Sequence, residues 1–297
     1  VKEAYITKNL APVTLGRIEQ ANQIIEEYQA QGFTLTVRQI YYQFVARDLI
    51  PNELRFYRLV ANALEKGRLT GQIDWQAIED RTRFLRSNTH WEDPEHILMS
   101  AAAGYKLDTR EDQDFLIEVW IEKDALVGVI DSVCKELDID FFSCRGYVSL
   151  SEMWRAAQRY QQEDRTCVLL HLGDHDPSGL DMTRDITDRL ENMFQCDNVE
   201  VRRIALNMDQ IKKYNPPPNF AKTTDTRSGN YIPKYGNKSW ELDALSPNVI
   251  VDLIRKNVEN LTDEDKRQHI LSRQEEDREM LNNVADKWDE LKDGDWI

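Results

Sequence analysis

The chain has 297 residues, of which 41% are hydrophobic and 31% charged, with a net charge of −15. That length allows two domains with packed cores. No apolar run approaches the ~20 residues of a membrane span, and the start, VKEAYITKNLAP, carries no hydrophobic signal core. The expected setting is cytoplasmic. Cys134, Cys144, Cys167 and Cys196 form no C-x-x-C pair, which argues for reduced thiols and against a zinc or disulfide framework. The acidic balance argues against phosphate binding over most of the surface. It is uneven, however: residues 258–297 carry 13 acidic and 6 basic side chains, whereas residues 1–90 carry 10 acidic and 12 basic. A nucleic-acid face is therefore expected in the N-terminal third.

Residues 13–31 have the apolar spacing of an amphipathic helix ending at Gly32. Thr36 followed by Gln39 predicts a capping box opening a second helix, which Pro51 ends. LRFYRLVANALEKGRLTG predicts a third helix, and QIDWQAIEDRTRFL a strand and wing. Three short helices with a β wing make a helix-turn-helix or winged-helix plan. The third helix and its end carry Arg55, Arg58, Lys66 and Arg68 as candidate contacts to double-stranded DNA; the plain alternative is a solvated helix face.

From residue 115 strands and helices alternate: FLIEVWIE, KDALVGVIDSVCKELD, FFSCRG, SLSEMWRAAQRYQQ, TCVLLHLG, SGLDMTRDITDRLENMF and VEVRRIAL. Near-continuous apolar strands separated by helices predict a parallel sheet covered on both faces, with ligands at the carboxyl ends of the strands. Glu122 ends the first strand and Arg145-Gly146 the second. Asp174 and Asp176 end the third and share one side by period-two alternation. Such an all-oxygen cluster suits a hard divalent cation, above all Mg²⁺. A helix-capping aspartate accounts for one of these carboxylates but not for the set. His171, inside an apolar strand, reads as a core histidine, and His175 points away from its two aspartate neighbours.

IEKDAL followed by GDHDPSGLD resembles the Toprim domain, and TVRQIYYQFV resembles the catalytic helix of the topoisomerase VI A subunit and its meiotic double-strand-break relative. The resemblance covers roughly residues 10–255. It implies an α/β protein with an N-terminal winged-helix domain (10–100) carrying the Tyr-Tyr helix. A Toprim parallel-sheet domain (112–255) and an acidic helical tail (256–297) would follow. It further implies tyrosine transesterification of a DNA phosphodiester with Mg²⁺ at Glu122, Asp174 and Asp176, a homodimer, and a separate B-type ATPase subunit. In the family pattern the second tyrosine attacks, which here is Tyr42. Helical spacing agrees: Val37, Ile40, Tyr41 and Phe44 share a buried face, while Tyr42 is turned about 100° away and aligned with Arg38. Tyr41 is thus expected in the core and Tyr42 exposed, with Arg38 stabilising phenolate or phosphate charge. The other readings are a Toprim-type metal-dependent nuclease using water, and a non-catalytic DNA-binding or assembly protein.

After the sheet, residues 212–238 are expected to form an ordered arm without helix. Lys212, Lys213, Lys222, Arg227, Lys234 and Lys238 are interleaved there with Tyr214, Phe220, Tyr231 and Tyr235, as a DNA-facing strip or a dimer arm. SWELDAL is read as structural. Residues 262–292 are expected to form a polar helix with a thin apolar stripe.

Overall fold

The computed structural model describes residues 1–79, 88–220 and 225–288. The chain is an α/β protein with eleven α-helices and a four-stranded parallel sheet among those residues. The N-terminal part packs α1 (Pro12–Gln29), α2 (Val37–Ala46) and α3 (Leu54–Leu69) around Ile18, Ile24, Leu35, Ile40, Phe44 and Leu64. The α2 start is as expected: Thr36 caps the Gln39 amide and the Gln39 side chain returns to the Thr36 amide at 2.9 Å. The expected strand after α3 does not form up to residue 79. Trp75–Ala77 is a turn of 3₁₀ helix opened by the Asp74 carboxylate, and only single bridges join Leu35 to Ile78 and Ala4 to Thr70. The rest of the expected wing, residues 80–85, lies outside the described residues.

Next come α4 (Pro94–Gly104), β1 (Phe115–Ile121), α5 (Val127–Leu137), β2 (Asp140–Ser143), α6 (Leu150–Gln161), β3 (Thr166–Leu172), α7 (Pro177–Asp188) and β4 (Val199–Ala205). The strand order is β2-β1-β3-β4, all parallel. Alternation along each strand sorts the two faces. Ile117, Val119 and Ile121 of β1 and Val168, Leu170 and Leu172 of β3 pack under α5 and α10 (Pro247–Glu259). Trp120, Cys167 and Leu169 meet Met153, Ala156, Ile186 and Leu190 on the other face. Glu118 falls on that second face, yet is fully satisfied. It accepts from Trp120 Nε1 at 2.9 Å, Tyr160 Oη at 2.8 Å and both ends of the Arg159 fork, which offsets its burial. The four cysteines are buried and unpaired.

The expected helix-free arm is corrected. It contains α8 (Met208–Tyr214), β5 (Asn219–Phe220), α9 (Ser228–Tyr235) and β6 (Lys238–Ser239), with β5 and β6 antiparallel. The three prolines 216–218 break the chain before β5 and leave residues 228–235 free to wind, even with Pro233 near the end of α9. Tyr231 and Tyr235 fold inward onto His175, with centroids at 5.6 and 4.8 Å, so they form no outward strip. Lys222 lies outside the described residues. The tail helix α11 (Glu264–Asp286) packs on α4, where Gln274 and Asp277 hold the Leu107 amide and the Tyr105 hydroxyl. No helix among the described residues is long and apolar enough to cross a membrane.

His171 is fully buried, with Nδ1 at 2.8 Å from Thr183 Oγ1. Burial, then the neighbouring Arg203, holds its pKa down at about 3. The unfolded chain therefore binds a proton that the folded chain refuses between pH ~6.5 and about 3. Stability contributed by neutral His171 is full above ~6.5 and falls as pH drops through that window, by about 1.4 kcal/mol per pH unit. Urea unfolding of wild type and His171→Gln should show a shallower acid slope in the variant.

Candidate active site

The carboxyl ends of β1 and β3 deliver Glu122-Lys123 and Gly173-Asp174-His175-Asp176 to one rim. Leu172 O accepts from the Glu122 amide at 2.9 Å, keeping the strands in register to their ends. Two glycines make the turn possible. A Cβ at Gly179 would lie 2.2 Å from the Asp174 carbonyl oxygen, and one at Gly173 would lie 2.9 Å from Glu122 Oε2. Asp176 caps α7 by accepting from the Gly179 amide at 2.6 Å. His175 faces the other way, buried against Tyr231 with Nδ1 at 2.9 Å from its hydroxyl. Its backbone pairs with Trp240 through bonds of 2.8 and 3.0 Å. That bridge draws Trp240–Asp243 onto the rim, and with it come Glu241 and Asp243.

The result is a cleft of about 690 Å³ whose lining includes Glu122, Asp174, Asp176 and Arg38, the last from the Tyr-Tyr helix. The three predicted carboxylates are thus brought together, and each commits one oxygen. Glu122 Oε2 accepts from the Asp174 amide at 2.8 Å, and Asp174 Oδ1 accepts from the Leu242 amide at 2.7 Å. Asp176 Oδ1 is the α7 cap. Among the described residues they do not close into a ready group of three metal ligands. Part of the positive charge that tolerates them comes from Lys123, whose Nζ lies 3.1 Å from Asp174, 2.9 Å from Glu241 and 2.8 Å from Asp243. Asp174 is buried.

Electrostatics record this crowding. Burial raises the Glu122 pKa; the Asp174 amide and Lys123 pull it down, and Asp176 pushes it up. Burial likewise raises Asp174, with Glu122 adding to the rise against Lys123. Lys123 itself is pulled down by burial, but Asp174, Asp243 and Glu241 outweigh that and hold it well above the ordinary lysine range. Glu241 sits at about 2, because Lys123 and Arg38 overcome its burial. Arg203 buttresses the loop from β4. It donates to the carbonyls of Gly173 and Asp174 at 2.9 and 2.6 Å, and to the Gly179 carbonyl and Thr183 Oγ1 at 3.0 and 2.7 Å.

Tyr42 departs from expectation. It is 3% exposed, as buried as Tyr41 at 4%. The turn Leu242–Ala244 packs against α2, and its Ala244 joins the apolar cluster that holds Tyr42. Arg38 lies between the tyrosine and the cleft. Its NH2 is 3.4 Å from the Tyr42 hydroxyl and paired with Glu241, and its Nε is 2.9 Å from Asp243. Tyr42 opens into an adjoining pocket of about 240 Å³ that shares Arg38, Asn219 and Glu241 with the cleft. Burial, then Asp243 and Glu241, raises the Tyr42 pKa above the ordinary phenol range against the pull of Arg38 and Lys123. The Tyr41 hydroxyl donates to Asn52 Oδ1 at 2.9 Å.

Of the four basic DNA candidates, none lines the cleft. Arg55 and Arg58 are exposed on α3 and Lys66 half-buried, all within about 80° of one helix face. Arg55 pairs with Glu53 at 2.8 Å. Arg68 is turned away and lies over the Trp75 ring at 5.4 Å, so it does not belong to that face. Sequence reasoning missed Lys123, Glu241, Asp243 and Arg203. The two acids of SWELDAL were a usable signal, since carboxylates one residue apart call for a counter-charge between or beside them. Compared with known proteins, the chain matches no family model and no curated protein.

Proposed function

We propose that the chain is a Mg²⁺-dependent DNA-binding and DNA-cleaving protein of the type IIB topoisomerase A-subunit kind, with a winged-helix-like N-terminal part and a Toprim-like sheet. The observation that carries this reading is the single cleft lined by both Arg38, one turn from Tyr42, and the trio Glu122, Asp174 and Asp176. Two separate sequence motifs meet there. The donor set fits a hard divalent ion: burial, with a neighbouring carboxylate adding to it, raises the pKa of Glu122 and of Asp174, and each of the three carboxylates has one oxygen bonded and a second to offer. Glu122 and Asp176 would hold Mg²⁺ with Asp174, which Lys123 shares. When bound, the ion supplies charge stabilisation to the phosphate oxygens.

The chain's own residues do the rest. Tyr42 Oη forms a bond to phosphorus while the phosphodiester bond to the 3′ oxygen breaks. The 5′ phosphate stays on the tyrosine, and the departing 3′ oxygen takes up a proton as the phenol gives one up. Arg38 stabilises the charge on the transferring phosphate. With a raised pKa and a buried ring, Tyr42 is a weak nucleophile in the conformation described. A homodimer and a B-type ATPase partner belong to this reading. Burial of Tyr42 gives a second reading its support, a Toprim-type nuclease in which water attacks.

Supercoiled DNA incubated with the chain and Mg²⁺ should be cut, and chelation or Glu122→Gln should stop the cutting. An uncut plasmid under all conditions sinks both readings. DNA should bind across α3. Replacing Arg55, Arg58 and Lys66 by alanine should weaken binding uniformly across sequences, and should lower the salt slope by about 0.9 for each phosphate no longer neutralised. Unchanged affinity in a filter-binding series would move the DNA face elsewhere.

A further inference from the structure

A second cavity, of about 420 Å³, sits at the opposite ends of the strands from the acidic cleft. Its walls come from the segment before β1, the end of α5, and the turn between α10 and α11. Three guanidinium groups line it: Arg110, Arg255 and Arg267. Two are matched by carboxylates. Arg255 makes a two-pronged pair with Glu136 at 2.6 and 2.7 Å, and Arg267 pairs with Glu264 at 3.1 Å. Glu259 also lines the cavity.

Arg110 is different. It is 6% exposed, and its one side-chain bond among the described residues runs from NH1 to Thr262 Oγ1 at 2.7 Å. Its Nε and NH2 are buried without a hydrogen-bond partner, and so is Nε of Arg267 beside it. Arginine carries donors and no acceptor, so only an acceptor brought from outside, water or an anion, can meet these groups. Burial comes first in setting the charge balance at Arg110. Arg267 and Arg165 then act in the same downward direction on its pKa, while Asp108 and Asp138 oppose them. Arg267 commits NH1 to Glu264 and NH2 to the Glu136 carbonyl, both at 3.1 Å, leaving its Nε. The unmet Nε and NH2 of Arg110 form one fork on the same cavity, which suits a planar or tetrahedral oxyanion taking two parallel N–H bonds.

We propose that this cavity binds an oxyanion of the phosphate class, held by Arg110 and Arg267 with Thr262 fixing the Arg110 fork. The site is separate from the acidic cleft and does not depend on its chemistry. Phosphate could reach it as the free ion or as part of a nucleotide, so both are titrated into the full chain by calorimetry, with a chelator present to remove metal. Saturable binding of either ligand is expected, weakened on the order of tenfold to a hundredfold by Arg110→Gln and by Arg267→Gln, and unaltered by Arg155→Gln, an exposed arginine of α6. The tighter of the two ligands identifies the source. Should Arg110→Gln fail to fold, Arg267→Gln decides, because that side chain lies at the cavity's partly exposed edge. No saturable binding of either ligand, or equal binding in Arg267→Gln and wild type, overturns the proposal.

Discussion

Lys123→Met is expected to destabilise the fold by about 3–5 kcal/mol, because it removes the ammonium from among Asp174, Glu241 and Asp243, leaving buried Asp174 without its ion-pair partner and the other two with Arg38 alone. Methionine fills similar volume, so the loss is electrostatic and not a packing defect. The raised pKa of Asp174 sets a second expectation. Below neutral pH that carboxyl takes up a proton, one of the stranded charges disappears, and the gap between variant and wild type narrows. Adding Asp243→Asn to the variant should recover part of the loss. Denaturant unfolding at neutral and mildly acid pH checks all three statements. A variant as stable as wild type at neutral pH would mean that Lys123 is not the counter-charge of the rim.

Tyr42→Phe should abolish any covalent protein–DNA adduct while leaving the fold and DNA affinity in place. The ring, which meets Tyr41 at 5.3 Å between centroids, is kept. The lost hydroxyl costs stability of about 0.5–1.5 kcal/mol, the net worth of an ordinary hydrogen bond. Tyr41→Phe is the internal control. It gives up the bond to Asn52, at a similar cost, and should leave cleavage intact. Glu241→Gln works in the opposite sense from Tyr42→Phe. It removes one of the two carboxylates that raise the phenol's pKa and one anchor of Arg38, so it should speed adduct formation. Chain-linked DNA quantified after denaturation separates the three variants.

What the sequence made legible was local. The Thr36–Gln39 capping box and the alternation of β1 and β3 are each decided within a few residues, and each appears where pattern placed it. The convergence of Glu122, Asp174 and Asp176 was legible for the same reason, since parallel strands put their carboxyl ends on one rim. Legibility ended where a distant segment intervened. Tyr42 is buried in a cluster that Ala244, some two hundred residues downstream, joins, and helical phase on α2 alone pointed the ring outward. Lys123 was visible in IEKDAL, yet its role follows only from Glu241 and Asp243 arriving through the His175–Trp240 bridge. The fate of the 212–238 arm turned on tertiary packing as well: Tyr231 and Tyr235 are held by His175, and pattern read them as facing out.

The most direct measurement is mass spectrometry of chain trapped on DNA with Mg²⁺, then digested with nuclease and trypsin. The peptide that follows Arg38, QIYYQFVAR, contains both tyrosines. The account predicts a nucleotide mass on that peptide, with fragmentation placing it on Tyr42 and the adduct absent in Tyr42→Phe. Cut DNA with free ends and an unmodified peptide, or an adduct placed on Tyr41, would contradict it.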